Sequence, residues 1–174
     1  MTPEFARPHR LDQIGAGETH VEIEAVAKER EALARRFDLV AIDRLAARFA
    51  LRRDAIGVLA TGHLSAAVTQ SCGVTGDPLP ATIEEDFAIR FLPEPGEDET
   101  HDDVELDEEE MDTVFYTGSA LDLGEAAAET LALSLDPFPR SPRAAEALKA
   151  AGVISEEEAG PFGALAGLKD MLKK

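Results

Sequence analysis

A helix with both ends written into its residues runs between Leu121 and Arg140 of this 174-residue chain. Asp122 offers a side-chain acceptor to the orphan backbone N–H groups of a first turn, and Glu125, three positions on, is spaced to reach back as in a capping box. Pro137 and Pro139 forbid continuation. Between these limits Leu123, Ala127, Thr130, Leu131 and Ser134 fall on one face, with Ala126, Leu133 and Leu135 widening the stripe. A helix this apolar has to cover something, and the segments before it read as strands.

Leu45 to Arg52 sets Leu45, Ala47, Phe49 and Leu51 against Ala46, Arg48, Ala50 and Arg52, the period of a half-buried strand. Arg53 to Ala55 turns the chain. Ile56 to Ser71 is a second, longer strand in which Gly62 signals a bulge or bend. Cys72 to Pro80 is a turn dense in Gly and Pro, and Thr82 to Leu92 gives a further strand through Ile83, Phe87, Ile89 and Phe91, irregular at Glu84 to Asp86. Upstream, an extended lead segment from Phe5 to Asp12 and a Gly15/Gly17 turn precede a short strand, Thr19 to Glu24, in a hairpin-like arrangement. Val26 to Phe37 reads as an amphipathic helix with Val26, Leu33 and Phe37 inward. Thr113 to Tyr116 returns as a short strand, and Gly118 and Ser119 turn the chain into the capped helix. Ala144 to Ala151 is a short helix closed by Gly152, and Ser155 to Glu158 opens another. The expected class is α+β: an antiparallel meander, open or barrel-like, covered by helices, with a long acidic loop and a helical C-terminal tail. The expected division is a domain over 1–140, with the loop 94–112 inserted, and a tail over 141–174.

Charge is concentrated. The segment Glu94 to Asp112 holds 12 of the 35 acids and no Lys or Arg, so the net charge of −18 falls to −6 without it. Such a run repels itself and has little to bury, which predicts a mobile loop, either a solvating insertion or a contact surface for a basic partner. It lacks the glycine and spacing of a calcium-binding EF-hand loop. The opposite sign gathers between Lys28 and Arg53, where eight bases face four acids. This stripe reads either as a solvated face with i to i+4 pairs or as a seat for RNA phosphates. Arg48 and Arg52, on the outer side of a strand, are the best phosphate candidates, followed by Arg35 and Arg36.

Several chemistries find no support. Cys72 is the sole cysteine, so no intrachain disulfide can form, and the residue suits a reducing compartment or a small core position. His9, His20, His63 and His101 lack ligand spacing, which argues against a metal. Ser71 and Cys72 have no nearby base, Gly15-Ala16-Gly17 is too short for a dinucleotide fingerprint, and no phosphate loop occurs. Neither a cofactor nor a catalytic residue is expected. No apolar run approaches the roughly 20 residues of a membrane span, and the N-terminal residues lack signal-peptide character, so the expectation is cytoplasmic, without membrane or DNA partners.

Four separated signatures occur in order: Phe5 to Leu11, the turn Cys72-Gly73-Val74-Thr75-Gly76-Asp77-Pro78-Leu79, Asp122-Leu123-Gly124-Glu125 with its helix, and Gly160-Pro161-Phe162 to Leu168-Lys169. With the acidic interval between the second and third, the chain resembles the YceD family, the large ribosomal RNA subunit accumulation proteins of bacteria and plastids, over nearly its whole length. Many members carry Cys-x-x-Cys at the turn, where this chain has Thr75 in place of the second cysteine, a departure that argues against metal or disulfide chemistry here. The resemblance implies a non-enzymatic ribosome-biogenesis factor that supports accumulation or maturation of large-subunit ribosomal RNA by binding that RNA or a ribosomal protein. It implies contact candidates only: Cys72 and Thr75 of the turn, Asp122 and Glu125 of the helix, and Phe162 with Leu165 of the tail. An alternative is an adaptor that docks on another cytoplasmic protein through Phe162, Leu165 and Leu168. A hydrolase using metal-bound carboxylates of the acidic run has the least support.

Overall fold

The computed structural model describes residues 3–95 and 112–153. Eleven elements follow along the chain: β1 (Pro8–Arg10), a 3-10 turn (Leu11–Gln13), β2 (Thr19–Glu24), α1 (Ala27–Arg36), β3 (Ala41–Arg53), β4 (Val58–Ser71), β5 (Pro78–Pro93), β6 (Asp112–Tyr116), β7 (Ala120–Asp122), α2 (Leu123–Ser134) and α3 (Ala144–Ala150). The fold is α+β. They form two compact units, Met1–Gln70 with Pro80–Pro137, and Ser71–Leu79 with the chain from Phe138 onward.

The first unit is built on a five-stranded sheet in the order β2-β3-β4-β5-β6, with β2 and β6 at its edges among the described residues and no closure into a barrel between them. β2 pairs antiparallel with β3, and β3 with β4. The short turn between β4 and β5 permits only an antiparallel return. β6 breaks the meander: it pairs parallel with β5, from Ile89 against Asp112 to Pro93 against Tyr116. Parallel neighbours require a long connection, which accounts for the long stretch 94–111 between these strands. The acidic run expected to be a mobile loop lies, over 96–111, outside the described residues.

Alternation fills the core as expected. Leu45, Ala47, Phe49 and Leu51 of β3 are buried, as are Val58, Ala60, Leu64, Ala66 and Val68 of β4 and Ile89 and Phe91 of β5. Leu33 and Ala34 of α1 join the same cluster, together with Leu123, Ala126, Ala127, Ala128 and Leu131 of α2. Asp122 caps α2 as expected, its Oδ1 accepting the N–H groups of Gly124 (3.0 Å) and Glu125 (3.2 Å). The helix ends at Ser134, before Pro137 and Pro139.

Five local expectations are corrected. Glu125 does not complete a capping box, because its carboxylate is held by Arg36. Leu133 is exposed and Val26 is exposed, since the helices turn Ala128 and Leu33 toward the core instead. β1 forms no hairpin with β2; it pairs antiparallel with β7, Pro8 opposite Asp122. Gly62 makes no bulge and stands in register opposite Phe49, while the irregularity falls between Ile42 and Arg44. A Cβ at Gly62 would lie 2.1 Å from the Arg48 carbonyl oxygen and 2.5 Å from the Phe87 ring, so glycine is there for close approach. The vacancy of a side chain lets the Phe87 ring reach Phe49, with centroids 5.0 Å apart and planes tilted at 57°.

Candidate partner-binding surface

One face of the sheet is lined by α1 and α2; the other carries the charged residues of every second strand position. Glu22 on β2 stands opposite Arg48 on β3, and Arg48 stands opposite His63 on β4. His63 Nδ1 lies 2.6 Å from Asp86 Oδ1 and its Nε2 lies 2.7 Å from Glu84 Oε2, both on β5. An imidazole can donate from both nitrogens only when protonated, so this geometry fits the imidazolium form. Ser65 donates to the second oxygen of Glu84 at 2.8 Å. The Asp86 hydrogen bond, then that of Glu84, raises the His63 pKa above its ordinary 6.5. The His63 hydrogen bond, then that of Ser65, lowers the Glu84 pKa. Of these, Glu22, Arg48, His63, Ser65 and Glu84 line a shallow groove of about 700 Å³ together with Glu24 and Arg44. Across the face a positive middle lies between acidic strands: acidic on β2, basic on β3, imidazolium on β4 and acidic on β5.

The expected basic stripe divides by what each arginine touches. Arg36 donates to Glu125 at 2.6 and 3.0 Å and to Glu4 at 3.0 Å, tying α1 to α2 and to the N-terminal segment. Arg53 donates to the Leu11 carbonyl, and Arg30 to that of Ala25. Arg35, Arg48 and Arg52 are exposed, and none of their side chains has a hydrogen bond or ion pair among the described residues. Arg48 and Arg52 share the outer face of β3, while Arg35 sits on α1.

Asp122 and Glu125, expected as contacts, are brought together with the N-terminal segment. Asp122 Oδ1 also accepts the Arg7 N–H at 2.8 Å, and the Leu123 N–H donates to the Arg7 carbonyl. Gly124 admits this segment: a Cβ there would lie 1.8 Å from the Phe5 carbonyl oxygen. The Asp-Leu-Gly-Glu sequence therefore clasps Phe5 to Arg7, and both of its carboxylates have partners within the fold.

Cys72 and Thr75 lie in the second unit. The Thr75 N–H and the Ser141 N–H donate to Cys72 Sγ at 3.4 and 3.2 Å. Thr75 Oγ1 donates to Asp77 (2.7 Å) and lies 3.0 Å from Ser141 Oγ, and Asp77 pairs with Arg143. Hydrogen bonding from the Thr75 side chain, then from backbone N–H groups, holds the Cys72 thiol down to about 6 against the opposing effect of burial. The sulfur is buried, and Cys72 is a free cysteine. It serves as the acceptor that shapes the turn, with Gly76 at φ +73° closing it. Among the described residues no group of three or more His, Cys, Asp and Glu is arranged to hold a metal ion.

Phe162 and Leu165, with Leu168, lie outside the described residues. Among the described residues no helix is long and apolar enough to cross a membrane. The His63 cluster is what sequence reasoning missed. Its one signal was the spacing of Glu84 and Asp86 two apart in a strand, which places both on one face.

The family described as Large ribosomal RNA subunit accumulation protein YceD matches residues 60–169, more than half of the chain. No curated protein matches, and no solved structure matches.

Proposed function

We infer function from the premise that this chain belongs to the YceD family, the large ribosomal RNA subunit accumulation proteins. Its role is in the accumulation of large-subunit ribosomal RNA. The finer reading is that it acts without catalysis, in the cytoplasm, by holding a basic ribosomal protein of the large subunit. The observation that carries this is the charge pattern of the open sheet face. The basic strand β3 is flanked by carboxylates, Glu22 and Glu24 on one side and Glu84 and Asp86 beyond His63 on the other. A polyanion laid on that face meets as many like charges as opposite ones, whereas a basic protein gains from the acidic strands and from the 12 acids of the run Glu94 to Asp112.

A second reading is favoured by Arg48 and Arg52, which have no ion pair among the described residues and could meet ribosomal RNA phosphates directly. The two separate in one experiment: purified large-subunit ribosomal proteins and large-subunit ribosomal RNA are each titrated with the full chain and with a chain lacking residues 94–112. Under the protein reading the ribosomal proteins bind, and the deletion weakens them most at low salt. Binding of RNA alone, strengthened by the deletion, overturns it. Depletion of the protein from cells should lower large-subunit RNA relative to small-subunit RNA, and an unchanged ratio would oppose both readings.

A further inference from the structure

We propose that His63 makes the outer sheet face a pH-sensitive switch: loss of its ring proton releases the Asp86 carboxylate, which then receives a Lys or Arg side chain of the basic partner. This inference rests on the reading that the partner is a basic protein, and it names how that same face is regulated.

Three side chains on neighbouring strands make the switch. Asp86 and Glu84 of β5 lie against Nδ1 and Nε2 of His63 on β4, at 2.6 and 2.7 Å. Both contacts are hydrogen bonds only while the ring carries two protons. A neutral ring keeps one N–H, and its other nitrogen sets a lone pair against a carboxylate oxygen, so one carboxylate turns away. The two are not equivalent. Glu84 is also held by the Ser65 hydroxyl at 2.8 Å, and Arg44 acts on it at longer range. Among the described residues the Asp86 carboxylate has no partner beyond His63, and 90% of that side chain is exposed against 52% for Glu84. The remaining proton therefore stays on Nε2, toward the better-held Glu84, and Asp86 is the group set free.

The other neighbours set the sign. On β3, Arg48 stands directly opposite His63, and Glu22 on β2 stands opposite Arg48. Arg48 disfavours the imidazolium by like charge. Asp86 and then Glu84 favour it through their hydrogen bonds, and the balance lifts the ring above its ordinary 6.5. When the proton leaves, the cluster of His63, Glu84 and Asp86 passes from a charge of −1 to −2. A Lys or Arg side chain competes with the imidazolium for the same carboxylate, so binding expels the proton and, reciprocally, deprotonation strengthens binding. A phosphate backbone responds in the opposite sense, because the face it approaches loses a positive charge. The direction of the pH effect therefore distinguishes a basic protein from RNA on this face.

The test is the affinity of the full chain at pH 6 and at pH 8.5, at one ionic strength, for two probes: purified large-subunit ribosomal proteins, and an acetylated and amidated eight-residue peptide of alternating lysine and glycine, which stays protonated over this range. The parent should bind both about two- to fivefold more tightly at pH 8.5. His63→Gln should remove that step, and Asp86→Asn should lose affinity at pH 8.5 while changing little at pH 6. Every other ionisable group of the chain is common to the parent and both variants, so the difference isolates the cluster. Absence of the step in the parent, a step of the opposite sign, an equal step in His63→Gln, or an equal loss at both pH values in Asp86→Asn would each overturn the inference. If the ribosomal proteins bind with the same pH dependence in parent and His63→Gln, the switch is wrong and the partner reading stands. If the peptide shows the step and the ribosomal proteins bind at neither pH, the switch is right and the partner reading falls.

Discussion

Arg7 and Arg36 differ from Arg48 and Arg52 in everything except their charge. Arg7 donates to both oxygens of Glu29 at 2.7 and 2.8 Å, to the carbonyls of Ala6 and Glu24, and lies over the Phe5 ring at 4.6 Å. Arg36 bridges Glu125 and Glu4. Arg48 and Arg52 stand on the outer face of β3 without an ion pair among the described residues. A count of positive charges treats the four alike, yet two hold the N-terminal segment against α1 and α2 and two are left for something outside the described fold. The lesson is that pairing, which only the fold reveals, decides which charges are available to a partner.

The clasp side of this comparison should break most easily. Phe5 is completely buried and lies between Arg7 and the start of α2. Phe5→Ala removes a whole aromatic ring from the core and should cost about 3–5 kcal/mol in urea unfolding. A loss below about 1 kcal/mol would mean that the segment is not anchored as described. Gly124→Ala should come next, at about 1–3 kcal/mol, because the added methyl meets the Phe5 backbone carbonyl and not the end of a flexible side chain. If the alanine variant is as stable as the parent, the close approach at Gly124 is not real.

How far these features were legible in the sequence depends on whether the cause was local. The cap at Asp122, the prolines that end α2 and the alternation of Leu45 to Arg52 act within a few residues, so periodicity and turn chemistry revealed them. The fate of Glu125 was not legible, because Arg36, which captures it, lies 89 residues away in the sequence. The pairing of β1 with β7 and the parallel addition of β6 are equally non-local, and a three-residue strand has too little pattern to announce its partner. Gly62 was recognised as special but for the wrong reason, since a glycine needed for a ring from β5 looks the same as one needed for a bulge. Of the candidate contact residues, Arg48 and Arg52 keep the exposure their strand pattern promised, whereas Arg36, Asp122 and Glu125 have roles inside the fold.

Arg7→Ala sharpens the comparison at intermediate size. It removes the two bonds to Glu29 and those to two carbonyls, and should cost about 1–2 kcal/mol, reduced because nearly a third of the side chain meets solvent. The measurement is the urea midpoint at constant slope, and a value equal to that of Arg48→Ala would erase the distinction between the two pairs.

The His63 cluster gives a smaller, pH-dependent effect. The folded pKa of His63 lies above its unfolded value, so its contribution is complete below about 6.5 and is lost as pH rises through the folded value. Glu84 has the opposite sign: its folded pKa is lowered, so its contribution is present above the ordinary carboxylate value and is lost as pH falls through the folded one. The cluster therefore stabilises most between the carboxylate range and somewhat above 6.5. In His63→Gln the fall in urea midpoint between pH 6 and pH 8.5 should be shallower than in the parent. Identical slopes would show that the imidazolium does not bridge β4 and β5 in solution.

Arg48→Ala and Arg52→Ala should change stability least, within about 0.5 kcal/mol, because neither side chain has a partner within the described fold. Their value lies in what else they move. If the β3 arginines meet ribosomal RNA phosphates, the double variant should weaken RNA binding uniformly across sequences and lower the salt slope by about 1.4–1.8, that is, about 0.7–0.9 for each phosphate no longer neutralised. If the acidic strands receive a basic protein, the same variant should leave that protein bound as tightly or slightly more tightly, since two like charges have been removed from the face. A stability loss as large as that of Arg7→Ala would show that Arg48 and Arg52 are held after all, and the contrast between clasped and free arginines would fail at its second term.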